Sequence, residues 1–474
     1  MKALNRILFF VLIFYPLFLQ AQTVIPKPTK AQLAWHDMEF YLFMHFGPNT
    51  FTDLEWGHGN EKEEVFNPTN LDCEQWCRIA KASGAKGIII TAKHHDGFCL
   101  WPSKFSKHTV RESKWKDGKG DVLKELSAAC KKYGLKFGVY ISPWDRNHPD
   151  YGTEKYNDVF VNMMKEIFTN YGPIWELWWD GANGEGPNGK RQVYDWHRFE
   201  KTVRDISPNT VVFSDIGPDV RWCGNEDGIA GTTNWNMLDT TGFTRGAGGP
   251  RQDTLNAGNA NGKLWIPAEC DVSIRPGWFY HKAEDSKVKT PEQLFDLYLK
   301  SVGRGANLLL NVPPDGRGLI TGFDSASLVG LNKLKEANFE NNISKEGKGY
   351  YIPHNGRRPA PKLNDGDCNT FEIIPIPHLM SMGIKFEKPQ LVNCIVLKEN
   401  MLSGQNCKNF RLFLLNDKQQ LVKEITGTTV GNKRIISFPK MYISSIGLSI
   451  TDQKSATTIS EIEAYLIDEK LIEK

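Results

Sequence analysis

Short apolar runs alternate with longer amphipathic segments over roughly the first 345 residues of the chain. Seven runs read as buried β-strands, at 40–46, 87–92, 136–142, 175–179, 211–215, 264–268 and 307–312. The segments between them carry apolar residues at helical spacing, at 71–84, 121–133, 155–170, 194–206 and 291–303. Repeated strand and helix units of this kind predict an α/β fold, and we expect a (β/α)8-type, TIM-like barrel. The pattern does not reveal an eighth strand.

The pattern changes after about residue 350. Helical periodicity fades, and strand-like runs such as NCIVLKEN, FRLFLLND, RIISFPK, YISSIGLSI and ISEIEAYLI follow one another with polar residues between them. This succession predicts an antiparallel β-sandwich. We therefore expect a barrel domain over residues 22–349 and a C-terminal β-sandwich domain over residues 350–474.

The first residues have the composition of a signal peptide, assigned to residues 1–21. Lys2 and Arg6 make a basic start, Ile7 to Leu19 form an apolar stretch, and a plausible cleavage site follows. The stretch is too short to span a bilayer comfortably, and no other segment approaches the ~20 apolar residues of a membrane helix. We expect an exported protein, periplasmic or extracellular, without stable membrane insertion.

Charge and spacing motifs exclude several classes of partner. Lys and Arg number 58 against 55 Asp and Glu, and no basic block suggests binding to nucleic acid. No glycine-rich phosphate loop follows a predicted strand, and none of the nine cysteines has CxxC spacing. We expect no cofactor, a small and roughly neutral ligand, and buried free thiols. Nothing in the sequence fixes the oligomeric state.

Polar and aromatic residues cluster where the predicted strands end. Six successive strand ends carry His, Trp or carboxylate side chains, in the segments MHFG, KHHDGF, SPWD, WWDG, DIGPDVRWCGNE and ECDVSIRPGWFYH. In a barrel enzyme these ends meet at one face and form the active site. A polar pocket with aromatic walls and several carboxylates suits glycoside hydrolysis, which uses one carboxylate at the anomeric carbon and another at the leaving oxygen.

The adjacent His94 and His95 leave a second interpretation open, an exported metallohydrolase with Asp96 or Asp180 as a further ligand. Consecutive residues at a strand end point to opposite sides, so both could bind one ion only if the chain bent there. We therefore expect no metal. Each imidazole has one donor and one acceptor when neutral, which fits hydrogen bonding to sugar hydroxyls.

The motifs MHFGPNTFTDLEWG, KHHDGFCLW, YISPWDRN, ELWWDGANG and NVPPDGRG, in this order, resemble glycoside hydrolase family 29, the α-L-fucosidases. The resemblance covers about residues 30–345. The segments GPDVRWCGNEDG and PAECDVSIRPGWFYH are similar to the family branch that prefers α-1,3 and α-1,4 linkages. The resemblance implies a retaining exo-α-L-fucosidase that removes terminal fucose from oligosaccharides or glycoconjugates by double displacement.

The resemblance also implies roles for individual residues. Asp180 matches the family's nucleophile, and Glu226 matches its acid/base, with Glu269 as the alternative acid/base. The residues implied to bind substrate are His45, Glu55, His94, His95, Tyr140, Trp144, Trp178, Arg275 and Trp278. Two other functions stay open at this point: a broader-specificity α-L-fucosidase, and a non-catalytic fucose-binding protein on the same barrel.

Overall fold

The computed structural model of the protein describes residues 25–353, 356–376 and 381–472. The predicted signal peptide at residues 1–21 lies outside these ranges. The described chain forms a closed barrel followed by an antiparallel sheet, which confirms the predicted fold class. Within these ranges no helix is long and apolar enough to cross a membrane.

Eight parallel strands close the barrel in the order β1-β2-β3-β4-β5-β6-β9-β10, with β10 pairing back to β1. They are β1 Phe40–Met44, β2 Gly87–Lys93, β3 Lys136–Ile141, β4 Glu176–Trp178, β5 Val211–Ser214, β6 Val220–Trp222, β9 Ala268–Ser273 and β10 Asn307–Asn311. Two short strands outside the barrel, β7 Met237–Leu238 and β8 Leu264–Trp265, pair with each other antiparallel. Strands such as β2 are buried along their whole length, as expected for a parallel sheet covered on both faces.

The helices connect the strands, and most of the longer ones begin at a side-chain cap. They are α1 Lys30–His36, α2 Pro48–Thr52, α3 Cys73–Ala82, α4 Val122–Tyr133, α5 Glu154–Tyr171, α6 Trp196–Ile206, α7 Gln252–Ala257, α8 Pro291–Lys300 and α9 Gly322–Phe339. Asp72, Asp121 and Asp195 accept hydrogen bonds from backbone N–H groups in the first turns of α3, α4 and α6. These bonds satisfy donors that a helix otherwise leaves free, so each helix starts at a defined residue.

One predicted strand is corrected by the structure. The run 264–268 was expected to be a single barrel strand, but β8 ends at Trp265 and the barrel strand β9 begins at Ala268. Pro267 lies between them and has no N–H to donate to a ladder, which accounts for the break. Glu269 was expected to follow this strand and instead lies inside β9.

The barrel strand that the sequence did not predict is β6. It lies in the polar segment that was predicted to follow β5, and it contains Arg221. Its guanidinium is fully buried and donates to the carbonyls of Leu255, Ile266 and Trp235 and to the side chain of Asn234. Because several acceptors compensate the buried charge, a short strand can carry an arginine here.

The C-terminal sheet begins at Gly347, beside the domain boundary predicted between residues 349 and 350. Its strands are β11 Gly347–Ile352, β12 Arg358–Pro359, β13 Glu372–Ile374, β14 Ser381–Glu399, β15 Cys407–Leu415, β16 Leu421–Gly427, β17 Arg434–Gln453 and β18 Thr457–Tyr465. All their pairings are antiparallel, and the two strands predicted at RIISFPK and YISSIGLSI form one long strand, β17. The inward side chains of this sheet share one hydrophobic core.

The sheet domain packs directly on the barrel. Gln405 accepts a hydrogen bond from the backbone N–H of Asn236 at 2.7 Å and donates to the carbonyl of Asn234 at 2.9 Å. Lys433 forms an ion pair with Glu39 beside β1. Apolar side chains of β14 and β18 also join the core of the barrel, so the domain buttresses the helical layer.

Candidate active site

Asp180 stands two residues after the last residue of β4, at the carboxyl end of the barrel. Its Oδ2 accepts a hydrogen bond of 3.0 Å from the hydroxyl of Tyr140 on β3, and its Oδ1 accepts one of 2.7 Å from the backbone N–H of Ala182. The side chain is 25% exposed. These two donors fix the orientation of a carboxylate that solvent can still reach.

Three histidines line the pocket beside Asp180. His45 follows β1, while His94 and His95 follow β2, and all three rings are buried. The ring centroids of His94 and His95 lie 4.2 Å apart, and Nε2 of His95 lies 3.6 Å from Oδ2 of Asp180. The structure thus brings the three imidazoles together beside Asp180. The rings of His94 and His95 lie against each other, so the expectation that these consecutive side chains point to opposite sides is wrong, because the chain leaves the extended conformation after β2.

Burial keeps the three imidazoles neutral. It lowers the pKa of His45 to about 3 and the pKa of His95 to about 4, and it lowers the pKa of His94 well below its ordinary value. The side-chain N–H₂ of Asn311 donates to the Ser273 hydroxyl and the Trp278 carbonyl, so its Oδ1 faces Nδ1 of His45 as an acceptor at 2.8 Å. Nδ1 of His45 must then carry the proton, and Nε2 is left as an acceptor.

Aromatic side chains form the walls of the pocket. The Trp178 ring stacks on Phe213 with centroids 4.0 Å apart and on Tyr140 at 5.2 Å. Trp144 packs against His95 at 4.8 Å and donates its indole N–H to the Glu185 carbonyl. Aromatic faces of this kind are suited to the apolar C–H surface of a sugar ring.

A glycine after the nucleophile candidate permits this packing. A Cβ at Gly184 would overlap the indole of Trp144, so the chain can approach that ring only without a side chain. The loop after β4 therefore packs closely against the Trp144 ring in the wall of the pocket.

Glu226 lies on the loop after β6 and is exposed. Its Oε2 accepts a hydrogen bond of 3.2 Å from the indole N–H of Trp278, whose ring lies 5.1 Å from that of His45. His45 in turn lies 5.7 Å from His94. A continuous series of ring contacts therefore connects the Glu226 loop with the histidines beside Asp180.

Two of the predicted substrate-binding residues, Glu55 and Arg275, hold loops in place. Both carboxylate oxygens of Glu55 are engaged, by the backbone N–H groups of Trp278 and Phe279 and by His281 at 2.6 Å. Arg275 is fully buried, where it pairs with Asp324 at 2.7 Å and Asp285 at 3.0 Å. Arg275 thus belongs to the scaffold beneath the loop that carries Trp278.

Glu269, the alternative acid/base, lies in the barrel core below the pocket. It is fully buried and accepts hydrogen bonds from the indole of Trp178 at 2.9 Å and from the hydroxyl of Tyr41. A group that protonates a departing sugar must reach the leaving oxygen, and this geometry favours Glu226 for that position.

Several pocket residues were not among the predicted site residues. Trp56 is 54% exposed and meets His95 and Trp144 edge to face at the rim. Phe279 is buried with its ring 5.4 Å from His45. Trp56, Phe279 and Asn311 all lie in the segments that carry the family resemblance: Trp56 directly follows Glu55, Phe279 directly follows Trp278, and Asn311 is the first residue of NVPPDGRG. Across the described ranges there is no group of three His, Cys, Asp or Glu side chains placed to hold a metal ion.

The closed parallel barrel, with carboxylates, neutral histidines and aromatic walls at the carboxyl ends of its strands, has the architecture of a glycoside hydrolase. Comparison with known proteins is more specific. Residues 35–338 match the family model described as alpha-L-fucosidase. The chain belongs to the α-L-fucosidase family, glycoside hydrolase family 29.

Individual relatives agree with this assignment. Alpha-L-fucosidase 1 of Arabidopsis thaliana is 39% identical over 455 residues, which span 94% of this chain and 88% of the relative. A putative alpha-L-fucosidase from Bacteroides thetaiotaomicron superposes with a TM-score of 0.85 at 35% identity, covering 93% of this chain and 98% of that one. A Ruminococcus gnavus family 29 fucosidase in complex with fucose superposes with a TM-score of 0.83 at 29% identity, covering 95% and 96%. The family resemblance and the enzyme class, a glycoside hydrolase, are confirmed.

Proposed function

We propose that the protein is an exo-acting, retaining α-L-fucosidase that prefers α-1,3- and α-1,4-linked fucose on oligosaccharides or glycoconjugates. The observation that carries the proposal is the setting of Asp180, an accessible carboxylate held by Tyr140 and Ala182 beside three neutral imidazoles. The fucose complex of the Ruminococcus gnavus relative supports fucose as the sugar.

In the proposed reaction, Asp180 attacks C1 of fucose and forms a covalent fucosyl-enzyme, while the bond to the leaving oxygen breaks. Glu226 donates a proton to that oxygen as the bond breaks. The resulting carboxylate then takes a proton from water, which attacks C1 and releases Asp180. Two displacements at C1 return the sugar to its original anomeric configuration.

The surrounding side chains bind the sugar in this proposal. Nε2 of His45 accepts a hydrogen bond from a fucose hydroxyl, and His94 and His95 bond to others as neutral rings. Trp178 and Trp144 contribute ring faces, and Phe279 and Trp278 give an apolar niche for the 6-methyl group of fucose. Glu55 acts through the backbone of the Trp278 loop.

A panel of oligosaccharides with α-1,2-, α-1,3-, α-1,4- and α-1,6-linked fucose tests the specificity. We expect fucose release from the α-1,3 and α-1,4 members. Similar release from all four would support the broader-specificity alternative instead. Fucose binding without release from any member would support the non-catalytic alternative, which is disfavoured because the carboxylates of both proposed roles are present. Proton NMR of the first product tests retention, because a retaining enzyme releases α-L-fucose first.

We also propose that the protein is exported to the periplasm or the extracellular space. The support is the basic, apolar and small-residue order of residues 1–21. N-terminal sequencing of the secreted protein should find a mature chain that starts near Gln22. A full-length chain retained in the cytoplasm would contradict this.

A further inference from the structure

Two carboxyl groups lie next to each other in the centre of the barrel, where branched aliphatic side chains are usual. Glu176, the first residue of β4, and Glu269 on β9 are both fully buried. Two adjacent buried negative charges without a cation are strongly unfavourable. Their presence therefore requires an arrangement that removes one of the charges.

The hydrogen bonds around the pair indicate which charge is removed. Glu269 accepts from Trp178 at one oxygen and from Tyr41 at the other. Oε2 of Glu176 accepts from the indole of Trp35 at 3.1 Å, while Oε1 has no donor among the described residues. The side chains of Glu176 and Glu269 lie within hydrogen-bonding reach of each other. A proton carried by Glu176 and shared with Glu269 satisfies this buried oxygen and leaves one negative charge, which Trp178 and Tyr41 stabilise.

The charged member of the pair contacts the wall of the active site. The indole that donates to Glu269 belongs to Trp178, and the Trp178 ring stacks on Tyr140 at an angle of 27° between planes. Tyr140 donates to Oδ2 of Asp180. Three successive contacts thus lead from the barrel core to the nucleophile candidate.

We infer that Glu176 and Glu269 form a proton-sharing carboxyl pair and that Glu269 is a positioning residue, which holds Trp178 and through it Tyr140 and Asp180. The positioning role rests on the proposed function, whereas the shared proton does not. Burial, together with the Glu269 charge, raises the pKa of Glu176 well above its ordinary value. The other titratable groups of the described chain that interact with the pair are Tyr41, Asp219, Cys270 and Asp271, and none of them brings a positive charge.

Infrared difference spectroscopy tests the shared proton without any need for activity. The wild-type spectrum minus that of Glu176→Gln, recorded at about pH 8, should show the C=O stretch of a protonated carboxylic acid. This pH lies above the pKa of about 7 of two other buried carboxyls, Glu399 and Glu461. Glu399→Gln serves as the matched control and should leave the band in place. If the wild-type spectrum has no carboxylic-acid band that disappears in Glu176→Gln, the two carboxyl groups do not share a proton and the proposed pair is wrong.

Kinetics test the positioning role. The amide of Glu176→Gln can still donate to Glu269, so kcat should fall far less than in Glu269→Gln, whose amide nitrogen cannot accept from Trp178 or Tyr41. Misplacement of the nucleophile should lower kcat of Glu269→Gln by about 10²-fold. The loss should be similar for aryl fucosides and oligosaccharides, and azide should not restore it.

The outcomes separate the two proposals. If the wild-type enzyme releases no fucose, the proposed function is wrong. The infrared result still shows whether Glu176 and Glu269 share a proton. If Glu269→Gln keeps the wild-type kcat, or if azide rescues it, the positioning role is wrong. Circular dichroism of each variant identifies misfolding. If Glu269→Gln does not fold, Trp178→Phe replaces it, because phenylalanine lacks the indole N–H that donates to Glu269. This variant should show the same loss of kcat on both substrates.

Discussion

The hydroxyl of Tyr140 donates a 3.0 Å hydrogen bond to the Asp180 carboxylate, joining β3 to the loop after β4. Burial and the negative charge of Asp180 raise the pKa of Tyr140 well above its ordinary value, so the hydroxyl remains a donor at all physiological pH values. The bond leaves Asp180 oriented before substrate arrives, as expected of a preorganised nucleophile.

The first prediction concerns that carboxylate. Asp180→Asn should remove nearly all turnover while leaving fold and fucose binding largely intact, because an amide has nearly the same size but is a poor nucleophile. With an activated aryl fucoside and azide, the variant should yield the β-configured fucosyl azide. The surface variant Asp205→Asn is the control and should keep full activity. Near-normal hydrolysis by Asp180→Asn would remove this residue from the mechanism.

Most of the barrel and part of its pocket could be predicted from local sequence patterns. The apolar runs predicted seven strands near barrel strands, and the polar residues after them predicted that His45, His94, His95 and Asp180 would meet. These are local signals, because strand ends of a parallel barrel lie on one face whatever the side chains between them. The β6 strand was missed because the carbonyl groups that compensate the buried charge of Arg221 belong to residues distant in the chain. The sequence around position 221 does not indicate them.

The position of Glu269 shows the same limit. A carboxylate just after a strand end is typical of a catalytic group. The predicted strand ended at residue 268, five residues before the end of β9 at Ser273, so Glu269 was expected at the rim instead of in the core. Its actual partners, Tyr41 and Trp178, lie 228 and 91 residues away in the chain. Only the folded barrel brings them together, so the sequence could not distinguish a positioning residue from an acid/base.

The second prediction concerns stability. Arg275→Ala leaves the buried carboxylate of Asp324 without its ion-pair partner, which should lower the free energy of unfolding by about 3–5 kcal/mol. Urea denaturation measures this change. Arg251→Ala, which removes an exposed pair with Asp253, should leave the denaturation midpoint unchanged. An equal response of the two variants would contradict the scaffold role of Arg275.

The third prediction concerns acid sensitivity. Burial between Trp35 and Trp265 lowers the pKa of His36 to about 3, and neither ring nitrogen has a hydrogen-bond partner among the described residues. Between about pH 6.5 and 3 the unfolded chain binds a proton there that the folded chain does not, so stability falls as pH falls. His36→Phe should reduce this dependence by up to about 1.4 kcal/mol per pH unit.

Urea denaturation at a series of pH values measures that slope. His197→Phe is the matched control, because it removes a histidine at an exposed position of α6. A slope that stays the same in His36→Phe would show that this ring does not resist protonation in the folded protein.

The fourth prediction concerns metal. In the part of the chain that the structure describes, His94, His95 and Asp96 do not form a ligand group with other side chains, so catalysis should not depend on an ion. Activity should survive exhaustive chelation and dialysis. Loss of fucose release that zinc or calcium restores would instead support the metallohydrolase interpretation.

The last prediction separates the two glutamates by the chemistry of the leaving group. A sugar alcohol is a poor leaving group and needs a proton, whereas an activated aryl oxide hardly does. In Glu226→Ala, hydrolysis of fucosyl oligosaccharides should therefore fall by about 10²–10⁴-fold, while fucosylation by an activated aryl fucoside is much less affected. Azide should accelerate the slow second step, because an anionic nucleophile needs no general base.

Trp278→Phe refines this test, because it keeps the aromatic ring near His45 but removes the N–H that donates to Glu226. If that hydrogen bond orients the acid, oligosaccharide hydrolysis should decline while aryl fucoside hydrolysis changes little. Glu269→Ala, in contrast, should lose rate on both substrates by similar factors and gain nothing from azide. Were azide to rescue the Glu269 variant and leave the Glu226 variant unchanged, the acid/base would be Glu269, and its burial beneath Trp178 would have to be relieved when substrate binds.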